Sequence, residues 1–142
     1  MNTEDTLAQV PLFSQLSRKD LQRLARGTVR RRFDKGSVIV KEGDQAVAFY
    51  LISSGRAEVI KGAEGSKPRV LSTLGPGDFF GEMALLDGYL RSASVRTLEE
   101  SECLVLSRWD FLAEVRSSPS IAVQMLPVLS RRLREVESQP AT

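Results

Sequence analysis

Glu82 and Arg91 stand nine residues apart, in a segment that runs Phe80-Gly81-Glu82-Met83-Ala84-Leu85-Leu86 and closes on Arg91-Ser92-Ala93. A carboxylate accepts hydrogen bonds from hydroxyls. A guanidinium presents a planar fork of N–H donors that fits two oxygens of a phosphate. Together the two could hold a ligand with a sugar hydroxyl at one end and a phosphate at the other. Gly81 lets backbone come close where a side chain would block it. A short helical turn over residues 83–86 would aim its first amides at the anion. Spacing alone leaves a second reading open: two unrelated surface charges, worth little to each other, with Phe80, Met83, Leu85 and Leu86 as core.

The surrounding elements must position that segment. Ser17 with Asp20 three residues on reads as a helix start, with Leu16 and Leu21 as an apolar staple across it. Leu21, Leu24 and Ala25 mark one face, and Gly27 reads as the stop, so residues 7–27 are assigned as helical. From Val29 the pattern changes to short strands broken by glycine turns: 29–33, 38–40, 48–53, 56–61, 69–74, 92–97 and 102–107. Residues 62–68 read as a flexible hairpin tip. Many short strands with regular turns predict a sandwich or barrel. Beyond Trp109 the chain turns helical again. A short amphipathic helix covers 109–115, and Ser118-Pro119 starts another, with Ser118 as cap and Pro119 at the first helical position. Ile121, Met125, Val128, Leu129, Leu133 and Val136 recur at helical spacing. Pro127 interrupts that face, lacks an N–H and collides with the preceding turn, which predicts a hinge between two C-terminal helices.

The ordered segment Phe80 to Leu86, then Asp87-Gly88-Tyr89-Leu90, then Arg91-Ser92-Ala93-Ser94-Val95, resembles the phosphate-binding cassette of cyclic nucleotide-binding domains. These occur in protein kinase A regulatory subunits, cyclic nucleotide-gated channels and the bacterial catabolite activator protein. The likeness extends through Phe33, Lys35-Gly36, Gly43-Asp44, Phe49-Tyr50-Leu51-Ile52, Ser54-Gly55 and Leu74 to Gly81, and covers roughly residues 10 to 135. One position departs: the family often has Pro before the arginine, where this chain has Leu90. Gly36, Gly43, Gly55 and Gly77 read as turn formers, and Phe33, Ile39, Tyr50 and Ile52 as core.

The resemblance implies a fold and a site. The fold would be mainly β with flanking helices: a jelly-roll-like β-roll, a double-stranded β-helix, over residues 28–108. An N-terminal helix, a short phosphate-binding helix and C-terminal helices over 109–137 would flank it, all in one domain spanning 1–142 with no DNA-binding or catalytic domain. The site would be Gly81, Glu82, Met83, Ala84, Leu85, Arg91, Ser92 and Ala93, with amides near Ala84, Leu85 and Ser92 as further donors. Val59 and Leu71 would lie against the base, and Arg132 and Val136 would close over it as a lid. The ligand would be cAMP, with cGMP and cyclic di-GMP as alternatives, and Ser92 supplies the hydroxyl that in some relatives favours guanine. Binding would shift the C-terminal helices and signal to an effector protein, with a homodimer through the last helix as one arrangement. A competing expectation keeps the fold as an interaction domain without a nucleotide.

Composition narrows the rest. The chain has 142 residues, enough for a core without staples, and a net charge of +2 spread along it, so no nucleic-acid footprint stands out. Arg30-Arg31-Arg32 and Arg131-Arg132 read as solvated faces. The absence of histidine removes Ser-His-Asp and Cys-His nucleophile systems and histidine metal sites. No catalytic residue, metal ligand or cofactor is therefore assigned, and an enzyme is the weakest reading. Cys103 is the one cysteine, has no partner for a disulfide, and reads as a buried thiol in a strand. No apolar run reaches membrane-spanning length, and the start Met1-Asn2-Thr3-Glu4-Asp5 is not a signal peptide. A cytoplasmic location is expected, with the chain either a free-standing sensor or a piece of a larger protein.

Overall fold

The computed structural model describes residues 2–138. Residues 139–142 of the polar end that begins at Glu137 lie outside the described residues. The described residues form two compact units: Thr28–Trp109 make up one, and residues 2–27 together with 110–138 make up the other.

The first unit is a β-roll of two four-stranded antiparallel sheets. Its strands are β1 (Val29–Phe33), β2 (Val38–Val40), β3 (Ala48–Ser54), β4 (Ala57–Lys61), β5 (Arg69–Leu74), β6 (Phe79–Phe80), β7 (Ser94–Thr97) and β8 (Ser101–Ser107). One sheet runs β1-β8-β3-β6 and the other β2-β7-β4-β5. Alternation along the strands builds the core between them. Ala48, Tyr50 and Ile52 of β3 and Cys103 and Val105 of β8 meet Ala57 of β4 and Val95 of β7, with Phe33, Ile39, Val40, Val59 and Phe80 packed around them. Cys103 is fully buried, and burial pushes its thiol up to about 11, so the inert-thiol reading holds. The sequence reading located seven of the eight strands, most with ends within a residue or two. It missed β6, whose two residues are too few to show a period.

The helical unit contains α1 (Thr3–Ala8), a 3-10 turn (Pro11–Phe13), α2 (Arg18–Arg26), most of α4 (Arg108–Ser117) and α5 (Ser120–Glu137); α3 (Ala84–Asp87) belongs to the β-roll. Ser17 caps α2 by accepting from the Asp20 N–H at 3.2 Å, as its position implied. Helix begins earlier than residue 7, because Asn2 accepts from the Asp5 N–H at 2.8 Å and starts α1. Within α4 the only residue buried is Phe111, so its amphipathic character is weak.

Two C-terminal expectations change. α5 runs unbroken through Pro127, so Pro127 does not separate two helices; the break falls at Ser118-Pro119, between α4 and α5. A proline removes one N–H from the ladder. Here Ile121, Met125 and Val128, buried on the turns either side, hold the helix together. Ser118 is not a side-chain cap either. Its hydroxyl donates to Asp20 Oδ1 at 2.9 Å.

Asp20 is the centre of this unit's polar core. Only 3% exposed, it accepts from Ser118 Oγ, from Ser120 Oγ at 2.6 Å and from Gln124 Nε2 at 2.8 Å. Gln124 Oε1 also accepts from the Ser17 N–H at 2.6 Å. Burial alone would push the Asp20 carboxyl up; the hydrogen bonds from Ser120, Ser118, Gln124 and Ser17 outweigh it and hold it below its ordinary value.

Candidate functional site

β3 brings the two ends of the cassette together. Phe80 of β6 pairs with Tyr50 and stacks on its ring, with centroids 4.9 Å apart and planes 7° from parallel. The chain then turns at Gly81 and enters α3, which Gly88 ends in the left-handed conformation at φ +64. Leu90 forms an antiparallel bridge with Gln45. On either side of it, the Arg91 N–H donates to Asp44 O at 2.8 Å and the Ala46 N–H donates to Tyr89 O at 2.9 Å; Arg91 O also accepts from the Gly43 N–H at 2.9 Å. That bridge leaves the Leu90 N–H unused, so a proline at this position would cost no hydrogen bond.

The arginine is held by neutral groups. Its Nη2 donates to Ala48 O at 2.7 Å, and its guanidinium carbon lies 5.8 Å from the centre of the Tyr50 ring. It is half-buried, burial pushes its pKa down, and among the described residues no carboxylate pairs with it. Gly81 is what makes room. At φ +82 it occupies a conformation that disfavours side chains, and a Cβ built there would collide with Arg91 Nη1 and sit 2.9 Å from Ala48 O. The glycine was read as letting backbone approach a ligand; its space is taken by the arginine.

Glu82 and Arg91 line the same cavity, of about 360 Å³. Gly81, Met83, Ala84, Ser92, Ala93 and Val59 line it too, so eight of the residues singled out from the sequence converge. Three do not line it. Leu85 is fully buried beneath α3. Leu71 is the extra residue of a β-bulge, because Val59 pairs with Ser72 and Ile60 with Val70. It stands 49% exposed. Arg132 belongs to α5 in the helical unit. The amides of Ala84 and Leu85 close the α3 turn on Gly81 O and Glu82 O at 3.0 and 3.2 Å.

Sequence reasoning missed part of the lining: Val40, Ala46, Phe80, Asp87, Tyr89, Leu90 and Val95. Val95 pairs directly with Val59 across β7 and β4, and period-two alternation from Ala93 could have pointed to it. Ser92 is steadied from outside the cavity, where Lys61 Nζ donates to its carbonyl at 2.6 Å and lies 3.7 Å from Glu42. The site thus has an apolar wall of valines, a carboxylate, and a guanidinium whose charge no acid among the described residues offsets. An uncompensated, partly desolvated cation favours an anionic guest.

Comparison with known proteins decides the family. The cyclic nucleotide-binding domain matches residues 30–118, well over half of the chain. The chain belongs to the cyclic nucleotide-binding domain family. It is 39% identical over 127 residues to the cyclic AMP receptor protein of Thermus thermophilus, covering 89% of this chain and 59% of that one. It is 42% identical over 96 residues to the cAMP-dependent protein kinase regulatory subunit of Debaryomyces hansenii, covering 68% of this chain and 20% of that one. The N-terminal domain of a transcriptional regulator from Streptomyces coelicolor superposes with a TM-score of 0.84 at 26% identity, over 94% of this chain and 93% of that one. The chain therefore spans less than two thirds of the length of the curated relatives it matches. The cyclic nucleotide-binding domain fold, a β-roll with flanking helices, is the one described above, and two of these proteins are named as a regulatory subunit and a transcriptional regulator. Among the described residues no helix is long and apolar enough to cross a membrane.

Proposed function

We propose that this chain is a regulatory module that binds a cyclic mononucleotide in the cavity between β4, β7 and the cassette. The observation that carries this reading is Arg91, half-buried without an acid partner among the described residues and held at the same cavity as Glu82. Arg91 would take the cyclic phosphate through the donors that Ala48 leaves open. Glu82 would accept from the ribose hydroxyl, and Val59 and Val95 would lie against the base. Apolar walls of this kind hold a flat ring without reading its edge. One guanidinium in a cavity of about 360 Å³ suits one phosphate, which favours a mononucleotide over cyclic di-GMP.

The nucleotide we favour is cAMP, because two relatives similar to this chain carry cyclic AMP in their names. The output would be a shift of α4 and α5, and a ligand can drive it only by the difference in its affinity for the two arrangements. α5 leaves Leu126, Leu133 and Val136 exposed, with Leu126 and Leu133 one heptad apart. That face suits a second copy of the chain or an effector protein. Arg132 and Val136 as a lid, one domain over the whole chain, and a cytoplasmic location without a nucleic-acid partner complete the proposal.

The test is calorimetry of the purified chain against cAMP, cGMP and cyclic di-GMP. We expect one site per chain, tightest for cAMP. A preference for cGMP would overturn the choice of base. A preference for cyclic di-GMP would overturn the mononucleotide reading. No binding by any of the three would leave an interaction domain.

A further inference from the structure

The Tyr50 ring lies between the two halves of the cassette. Tyr50 is 7% exposed, pairs across the sheet with Phe80 and stacks on it at 4.9 Å, immediately before Gly81 and Glu82. The same ring has the Arg91 guanidinium 5.8 Å from its centre. A cation within about 6 Å of an aromatic ring is attracted by the ring's quadrupole, more strongly as water is removed. Ala48, two residues earlier on β3 and on the same side of the strand, supplies the one hydrogen bond seen from protein to this guanidinium, at 2.7 Å. No acid among the described residues helps to orient it.

We infer that Tyr50 is a positioning residue for Arg91: its π face, with Ala48 O, fixes the guanidinium beside Gly81 and so sets where the cavity receives an anion. A carboxylate partner would hold the arginine by cancelling the charge that the ligand needs. A ring and a carbonyl hold it and leave the charge available. This inference rests on the cavity being a cyclic nucleotide site. It adds that the grip on the phosphate is tuned by an aromatic ring of β3, outside the cassette.

The test replaces Tyr50 by phenylalanine and then by phenylalanines of increasing fluorination, which keep the ring's shape while draining its negative face. Calorimetry is run with cAMP and with adenosine, which lacks the phosphate. Tyr50→Phe should bind cAMP within about threefold of the unmodified chain. Full fluorination should weaken cAMP binding by about tenfold, in steps, while adenosine binding stays constant. In an Arg91→Gln background the fluorination series should be flat. Equal losses for cAMP and adenosine would make Tyr50 a packing residue only and overturn the inference, as would a flat series in the Arg91 chain. Failure of the unmodified chain to bind cAMP, cGMP or cyclic di-GMP is a different outcome; it would overturn the ligand reading and the inference together.

Discussion

Arg91 and Asp20 are both charges withdrawn from water, and the protein treats them in opposite ways. Asp20 in the helical unit is 3% exposed and accepts from Ser118, Ser120 and Gln124, so its charge is dispersed over local donors. The Arg91 guanidinium in the β-roll makes one hydrogen bond among the described residues, to a neutral carbonyl, and lies over a ring. The pKa of each moves below its ordinary value, but with opposite meaning. For the acid it says that the charged form is well served; for the guanidinium it says that the charged form is underserved. A charge saturated by its own fold has a structural task. A charge held in place but left unneutralised has a task that something else completes.

Two substitutions sharpen that contrast. The larger effect should come from Gly81→Ala. Its Cβ would take the space of Arg91 Nη1 and face Ala48 O at 2.9 Å, at a backbone φ of +82 that side chains resist. The guanidinium must leave its seat, so cAMP affinity should fall by on the order of 10²-fold, about 2.7 kcal/mol. Calorimetry on the variant measures this, with circular dichroism to show that the β-roll is retained. An unchanged affinity would show that the observed seat of Arg91 is not the one that matters.

Asp20→Asn should do the reverse and leave the cavity's affinity alone. An amide cannot serve three donors, so stability should drop by about 1–3 kcal/mol in chemical denaturation at neutral pH. The pH dependence should change too. A carboxyl held below its ordinary value contributes stability that is fully present above the unfolded value near 4 and is lost as pH falls through the folded value. The unmodified chain should therefore lose stability below about pH 4, and Asp20→Asn should lose less over that range. Equal acid sensitivity in both would remove Asp20 from its proposed structural role.

The same pair shows what a sequence can and cannot reveal. Strand alternation and glycine turns made the strands of a sandwich or barrel legible, the family resemblance made it a β-roll, and the ordered cassette made Glu82 and Arg91 legible, because each signal lies within a short window. Asp20 was legible as a helix-start residue, but the side chains that donate to its carboxylate lie 98 to 104 residues away, where no local pattern points. Pro127 was judged by its local cost, and the burial of Ile121, Met125 and Val128 around it decided otherwise. Leu71 was placed by the family resemblance, and a one-residue bulge moved it off the wall. The need for Gly81 was correctly read while its cause was not, because the clash lies with a side chain ten residues further on.

The central claim is that Arg91 is charged, held and unneutralised so that it can receive the phosphate of a cyclic nucleotide. Titration of cAMP into the unmodified chain and into Arg91→Ala tests it directly. The account predicts one site in the first and a loss of about 10²-fold or more in the second, since each ~1.4 kcal/mol is a factor of ten, with folding stability retained. Equal affinity in the two chains would contradict it.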